Sequence, residues 1–285
     1  MNKPRETKAP TLPPPTIRFP KNGDEFPSKK IPVSGTSTLK TPAKVWVYVH
    51  EGWWEPNSQF EVKEDGTWEG ILDWKFAMPY GDNSIVARHE RGMEYSEDSA
   101  PVTFTVKLPA VEFILPAENE YANQGVLFTG TGQPGAQVTV VMADDVSKVL
   151  GEGPVYSGSD WAVSANIALE PGRTCVKARS RINNETSWTD PHCFFVRPPE
   201  PLIQSPYSGE VESRVEIRGL GYPGATLEIW LIGNPSISLG KGTMNEFREW
   251  KIPVQLPAGN CVIEAIQTFN GVASNPSESR TYQVK

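Results

Sequence analysis

The stretch that decides the fold is FTGTGQPGAQV at residues 128–138, where one apolar strand ends in a proline–glycine turn and another begins. It is the clearest of three copies, because IRGLGYPGATL stands at 217–227 and VSGTSTLKTPAKV at 33–45. A period of about 90 residues filled with short alternating strands is typical of tandem β-sandwich domains. The sequence therefore predicts an all-β chain with three such domains in series.

The strand after the turn alternates inward apolar side chains with other residues in every copy, which is the period of two of a half-buried strand. The predicted inward positions are Val45, Val47 and Val49; Val138, Val140 and Met142; and Leu227, Ile229 and Leu231. A later strand places Ile85, Val176 and Ile263 inward, and the last strand of each copy places Phe104 and Val106, Phe194 and Val196, and Tyr282 and Val284 inward. These residues are the expected core.

One tryptophan recurs at the same place in each copy, at Trp68, Trp161 and Trp250, directly after a polar turn. A tryptophan ring buries on the order of 200 Å². We expect these three rings to anchor the three cores.

Several motifs together resemble a known class of repeat. They are Pro-x-x-Gly near the start of a copy, Gly-Thr-Gly-x-Pro-Gly-Ala-x-Val at 130–138, Gly-x-Trp, Pro-Gly and a terminal Phe-x-Val. The arrangement is similar to the bacterial immunoglobulin-like repeats of adhesins and other surface or secreted proteins, over about residues 15–285. The resemblance implies an array that acts as a spacer or stalk. It leaves the function open, since this fold hosts many unrelated binding roles.

The predicted organisation is a disordered proline-rich leader at 1–14 and immunoglobulin-like repeats at 15–107, 108–198 and 199–285. The joins are short and rich in proline, which removes backbone freedom. We therefore expect the three sandwiches to form an elongated, semi-rigid rod.

Composition excludes several classes of partner. The chain has 34 acidic and 27 basic residues and a net charge of −7, which is the wrong sign for binding a nucleic-acid backbone. No apolar run reaches the roughly 18 residues that span a bilayer, so membrane insertion is not expected. No export signal is visible at the start, and the route to a predicted secreted or cell-surface location stays open.

The three cysteines divide into a pair and a single residue. Cys175 and Cys193 stand on either side of the turn-forming Asn183-Asn184, each one residue before an inward position. Both are therefore expected on the outer face of one hairpin, where a disulfide can form. Cys261 falls on the inward register and is expected to be a buried core thiol.

The sequence offers no catalytic motif, and we predict neither an enzyme nor a cofactor. His50 and His89 could lie near each other at the ends of neighbouring strands and, with Glu51 and Glu90, hold a metal. Isolated surface histidines are the preferred interpretation, so no metal site is predicted.

An outward aromatic cluster distinguishes the first repeat. Trp46 and Tyr48 alternate with the inward valines and are expected outward and accessible, and Trp53 and Trp54 follow on a segment that the other repeats lack in that form. Such rings can stack against sugars or anchor a protein interface. Alternatively, the inserted segment folds back over Trp46 as a structural cluster without a ligand.

These observations favour a non-enzymatic binding, adhesion or presenting module of a bacterial surface or secreted protein, with a protein or glycan on a cell surface as partner. One alternative is a carbohydrate-binding protein that uses Trp46, Tyr48, Trp53 and Trp54. The other is a receptor-binding or accessory component of a toxin or phage-like assembly.

Overall fold

A computed structural model describes residues 12–50, 58–73, 78–233 and 237–285, and these residues form three tandem immunoglobulin-like β-sandwiches. The predicted all-β fold class is confirmed. By internal contacts the chain divides into two compact units, residues 1–110 with 180–187, and residues 111–179 with 188–285. The tip of one hairpin of the second sandwich is thus part of the first unit. Within the described residues no helix is long and apolar enough to cross a membrane.

Each sandwich is built from the same order of strands. The strands of the first are β1 (Thr16–Phe19), β2 (Asp24–Phe26), β3 (Lys30–Thr36), β4 (Lys44–Val49), β5 (Gln59–Glu61), β6 (Thr67–Asp73), β7 (Gly81–Arg91), β8 (Glu94–Tyr95) and β9 (Val102–Val106). Those of the second are β10 (Glu112–Leu115), β11 (Tyr121–Ala122), β12 (Leu127–Thr131), β13 (Gln137–Met142), β14 (Val149–Pro154), β15 (Asp160–Ser164), β16 (Gly172–Ile182), β17 (Glu185–Trp188) and β18 (His192–Val196). Those of the third are β19 (Leu202–Ser205), β20 (Gly209–Val211), β21 (Arg214–Leu220), β22 (Thr226–Leu231), β23 (Ser238–Thr243), β24 (Glu249–Gln255), β25 (Gly259–Phe269), β26 (Val272–Ala273) and β27 (Arg280–Val284).

Two sheets face each other in every sandwich. The smaller sheets have the orders β1-β3-β6, β10-β12-β15 and β19-β21-β24. The larger sheets have the orders β2-β9-β7-β4-β5, β11-β18-β16-β13-β14 and β20-β27-β25-β22-β23, with β8, β17 and β26 added to β7, β16 and β25. One pair in each larger sheet is parallel, namely β2 with β9, β11 with β18 and β20 with β27.

In each sandwich the chain passes from the smaller to the larger sheet through a proline turn between the first two strands. The peptide bonds before Pro20, Pro116 and Pro206 are cis, and the residue three positions later has a positive φ in each copy. Those residues are Gly23, Asn119 and Gly209, with φ of 87°, 61° and 106°. Glycine and asparagine are the residues that adopt this left-handed conformation at least cost.

The cores lie where the alternating pattern predicts them. Val45, Val47, Val138, Val140, Leu227 and Ile229 are fully buried, as are Ile85, Val176 and Ile263 of the long strands. Val49, Met142 and Leu231, the third inward position of each copy, are only half-buried, because each stands at or next to the end of its strand. Phe104, Phe194 and Tyr282 complete the cores from the last strands.

Trp68, Trp161 and Trp250 are 1–3% exposed, so the predicted core anchors are confirmed. Each pairs with a glycine on the neighbouring strand, Gly35, Gly130 or Gly219. A Cβ atom at Gly130 or Gly219 would lie 2.6 Å from ring carbon Cζ2 of its tryptophan, closer than such contacts occur. Only glycine leaves room for the ring to lie over the strand, which explains the glycine in each copy of the repeat.

The leader differs from the expectation for residues 1–14. Residues 1–11 lie outside the described part of the chain, but Leu12 is 8% exposed and pairs with Ser96 in a parallel bridge. The carbonyl oxygen of Pro13 lies 2.6 Å from Nδ1 of His89. The predicted disorder does not hold for Leu12 and Pro13, because Leu12 buries apolar surface against the first sandwich and the carbonyl oxygen of the exposed Pro13 contacts His89.

The glycine–tryptophan contact is tested by replacing Gly130 with alanine. The added methyl would collide with both the Trp161 ring and the Glu112 carbonyl oxygen, so we expect a loss of about 2–3 kcal/mol in the free energy of unfolding. Chemical denaturation of the purified variant measures it. Gly125→Ala is the control, since a Cβ there meets no described atom within 4 Å, and it should change stability by less than about 0.5 kcal/mol.

Candidate functional site

The outer face of the larger sheet of the first sandwich carries the two described residues of the predicted aromatic cluster. Trp46 and Tyr48 lie on β4, where they alternate with the buried Val45 and Val47, and their side chains project away from the core. In the antiparallel ladder Trp46 stands between Gln59 of β5 and Arg88 of β7. The sequence alternation therefore predicted the correct face of the strand.

Trp46 is half-buried and belongs to a row of polar groups. Its indole N–H donates to a carboxylate oxygen of Glu90, which also accepts from Nε2 of Gln59 at 3.3 Å. Nζ of Lys44 donates to Oε1 of Gln59 at 3.2 Å. A partly exposed indole thus lies beside a carboxylate, an amide and an ammonium group. A shallow groove of about 580 Å³ runs along Lys44, Gln59 and Glu90 at this edge of the sheet.

Tyr48 is on the expected face but is not accessible, so that part of the prediction is wrong. Only 8% of the residue is exposed. Its hydroxyl donates to the carboxylate of Asp98, which Arg88 contacts through Nη2 at 2.8 Å, while the Arg88 guanidinium lies 5.7 Å from the Tyr48 ring centre. Burial raises the pKa of Tyr48 well above its ordinary value, and the hydrogen bond to Asp98 raises it further. Tyr48 is a structural member of this face.

Trp53 and Trp54 lie outside the described residues, as do residues 51–57 as a whole. The four-ring cluster therefore stays a prediction. Of the two rings of this cluster that the structure describes, Trp46 is partly exposed and Tyr48 is buried.

The structure contains the predicted disulfide. Cys175 of β16 and Cys193 of β18 stand directly opposite each other in the ladder, with Cα atoms 4.0 Å apart, and their sulfur atoms are bonded. Cys261 is a free thiol, 4% exposed within the core of the third sandwich, also as predicted. Burial raises the pKa of the Cys261 thiol, which keeps it protonated and unreactive.

The histidines do not lie where the sequence suggested. His50 is exposed beyond the end of β4, and its backbone N–H donates to the carbonyl oxygen of Ser84. His89 stands opposite Val45, near the other end of the same ladder. The two histidines are therefore separate, as the preferred interpretation has them, but its surface position is wrong for His89, which is completely buried. No group of three or more potential metal ligands occurs in the part of the chain that the structure describes.

A buried polar residue at one position of every long strand was missed by the sequence reasoning. His89, Ser180 and Gln267 each follow the first residue of their strand by eight positions and are at most 1% exposed. Each contacts the carbonyl oxygen of a proline that precedes its own sandwich. The pairs are His89 Nδ1 with Pro13 at 2.6 Å, Ser180 Oγ with Pro109 at 3.5 Å, and Gln267 Nε2 with Pro199.

No protein-family model matches the chain, and no curated protein does. Solved structures with a similar fold include consecutive domains of titin, at 11% identity and a TM-score of 0.34 over 93% of this chain and 97% of that one. A tetra-tandem repeat from the extending region of a large adhesion protein is 15% identical, with a TM-score of 0.32 over 94% and 73%. The BSP domain of a biofilm associated protein is 12% identical, with a TM-score of 0.26 over 95% and 66%. At these identities the likeness is one of fold.

The disulfide predicts a stability difference between oxidised and reduced protein. Closing a loop of 18 residues in the unfolded chain should stabilise the second sandwich by about 3 kcal/mol. Denaturation of the Cys175→Ser, Cys193→Ser double variant measures the loss. Thiol labelling of the native protein should leave Cys261 unmodified until it unfolds, and equal reactivity of all three sulfurs would contradict the assignment.

His89 predicts a pH dependence confined to the first sandwich. Burial lowers the pKa of His89 below its ordinary 6.5, only partly offset by the hydrogen bond to Pro13, and its Nε2 has no hydrogen-bond partner among the described residues. The unfolded chain therefore binds a proton more readily, so the free energy of unfolding falls as the pH drops below 6.5.

Hydrogen exchange of the β4 and β7 amides measures the free energy of opening at about pH 7 and about pH 5, on either side of the ordinary histidine pKa. His89→Gln installs the residue that the third sandwich has at this position. It should make the free energy of opening less dependent on pH than in the unaltered protein. A profile unchanged by the substitution would show that His89 does not titrate on unfolding.

Proposed function

We propose that the chain is a non-enzymatic presenting and adhesion module, in which three sandwiches hold a binding surface in a defined orientation. The observation that carries this proposal is the buried contact between each long strand and the linker that enters its sandwich. A flexible tether would leave these linkers solvated. Here a fully buried polar group fixes each of them at one carbonyl oxygen.

The linker contact of the third sandwich is the most extensive. Gln267 is completely buried, donates through Nε2 to the Pro199 carbonyl and accepts from the N–H of Tyr222 at 2.8 Å. An amide that bonds two backbone segments from the interior costs about 1–3 kcal/mol to remove, because its partners are left unsatisfied. The segment before β19 is thereby tied to β25.

Further contacts join the second and third sandwiches, and all the residues that make them lie in the second compact unit. Nη1 of Arg197 donates to the Ala273 carbonyl at 3.0 Å, and Nδ2 of Asn270 donates to the Pro171 carbonyl at 3.2 Å. The Arg197 guanidinium also lies 4.2 Å from the centre of the Tyr121 ring. These contacts support a junction with little freedom to bend.

The disulfide supports a location outside the cytosol. Structural disulfides persist in oxidising compartments and are rare where thiol reductants are abundant. The Cys175–Cys193 bond therefore favours a secreted or surface-exposed protein.

The stiffness of the junction is tested with spin labels at two exposed positions, Tyr156→Cys in the second sandwich and Phe247→Cys in the third. We expect a narrow distance distribution that broadens when Gln267→Ala is added. Gln283→Ala, at an exposed position of β27, is the control and should leave the distribution narrow. A broad distribution in the parent protein would contradict the presenting role.

Trp46 supports a second candidate, a site for a glycan on a cell surface. The half-buried indole offers a face for stacking, and Glu90, Gln59 and Lys44 offer a carboxylate, an amide and an ammonium group to sugar hydroxyls. Aromatic faces beside convergent polar groups are the usual composition of such a site.

We expect Trp46→Thr, which installs the residue found at this position in the second sandwich, to weaken glycan or cell binding by about 2 kcal/mol. Glycan-array binding and denaturation of the same preparation measure affinity and folding together. A loss of several kcal/mol in stability without any change in binding would show that the ring is structural. Trp230→Thr, on the matching strand of the third sandwich, is the control for a general effect of removing an outward indole.

A further inference from the structure

The long strand of the larger sheet carries an arginine at the same place in the first two sandwiches. Arg88 and Arg179 each follow the glycine that begins their strand by seven positions. The third sandwich has Ile266 at this position. The surroundings of the two arginines differ in one decisive residue.

In the first sandwich the arginine has a counter-ion. Nη2 of Arg88 contacts the Asp98 carboxylate at 2.8 Å, and Nε donates to the same carboxylate at 2.9 Å. Asp98 also accepts from the hydroxyl of Tyr48. The guanidinium and the carboxylate therefore satisfy each other within the protein.

The second sandwich has a tryptophan where the first has this carboxylate. A hydroxyl side chain in each sandwich accepts from the N–H of a buried alanine in the long strand: Ser99 from Ala87, Thr189 from Ala178 and Ser277 from Ala265. The residue before this hydroxyl is Asp98 in the first sandwich, Trp188 in the second and Pro276 in the third. The arginine is thus retained in the second sandwich and its counter-ion is replaced.

Arg179 is half-buried without a carboxylate partner. Nη2 donates to Oγ1 of Thr139 at 3.4 Å, and Nε is buried with no hydrogen-bond partner among the described residues. Within the part of the chain that the structure describes, no carboxylate lies at ion-pair distance from it. A cation that has lost part of its hydration without gaining a counter-ion is unfavourable, and an anion from outside the chain relieves this cost.

The neighbours of Arg179 indicate which kind of anion fits. The guanidinium carbon lies 5.7 Å from the centre of the Trp188 ring, and Trp188 is 42% exposed, so a ligand at Arg179 has an aromatic face beside it. Next to Thr139, the exposed Glu152 of β14 accepts from its hydroxyl at 3.0 Å. A second carboxylate repels a dense anion such as phosphate, but it accepts hydrogen bonds from sugar hydroxyls.

We propose that Arg179 and Trp188 form a binding site for a sugar residue that carries a carboxylate. The ligand carboxylate pairs with the guanidinium through charge-assisted hydrogen bonds, the sugar ring stacks on Trp188, and hydroxyls donate to Glu152. The chain has a net charge of −7, which disfavours polyanions and leaves a singly charged sugar as the better ligand. The site lies on the second sandwich and does not rest on the proposed glycan site at Trp46.

An array of matched glycans tests the ligand class with the full-length protein. Glycans that end in glucuronic acid or N-acetylneuraminic acid are printed beside the same glycans with the carboxylate reduced to an alcohol. We expect the carboxylated forms to bind at least about tenfold more tightly, as a hydrogen bond to a charged group is worth. Glucose 6-sulfate and a glutamate-rich peptide are printed as other anions. Equal binding to the reduced glycans, the sulfate or the peptide would overturn the proposal.

Two variants locate the site. Arg179→Gln removes the charge and should lower the affinity for the carboxylated glycans at least about tenfold. Trp188→Asp installs the residue that the first sandwich has at this place, so it gives Arg179 an internal counter-ion and should abolish the same binding without lowering stability. Denaturation of each preparation verifies its folding.

Arg173→Gln is the matched control, because it removes one positive charge from an exposed position of the same strand. It should change the affinity by less than about twofold, the range of an exposed charge. A loss as large as that of Arg179→Gln shows attraction by charge alone and contradicts the site. Full binding by folded Trp188→Asp would contradict it as well, since a paired guanidinium cannot hold the sugar carboxylate.

Discussion

A tryptophan ring lying over a glycine on the neighbouring strand is the contact on which each sandwich depends. Gly130 and Trp161 show why the two must occur together. The ring fits only where no Cβ projects, and its indole N–H then reaches the Thr131 carbonyl at 3.2 Å. The centre of the Trp161 ring also lies 5.4 Å from the centre of the Phe113 ring of β10, which connects the first strand of the smaller sheet to the core. One glycine therefore fixes strand pairing, ring position and aromatic packing together.

The sequence predicts this framework well because its period of two is repeated three times. Val138, Val140 and Val176 could each be assigned inward from the aligned copies alone, and all three are fully buried. The same alternation gave the correct face for Tyr48 but not its burial. A strand pattern reports which side of the sheet a residue occupies, whereas Arg88 and Asp98, distant in sequence from Tyr48, decide whether that side is covered. For Trp53 and Trp54 the prediction is untested.

The linker contacts escaped prediction because the residues that make them share no chemistry. His89, Ser180 and Gln267 are an imidazole, a hydroxyl and an amide, and none is unusual in a strand. What they share is their distance from the glycine that begins the long strand. A buried polar residue is tolerated only with a partner, and a linker carbonyl held at a constant offset supplies one. Aligning polar positions inside predicted apolar strands would have revealed the pattern.

The Cys175–Cys193 bond has a mechanical consequence for a molecule under tension. Cys193 belongs to the last strand of the second sandwich, and the bond joins it to the long strand 18 residues earlier. When a pulling force unravels this domain, the loop between the two sulfurs cannot extend, which removes roughly 60 Å of contour length at about 3.4 Å per residue. The first and third sandwiches have no such bond among their described residues. The middle domain is thus the one whose stretched length would change with the redox state of its surroundings.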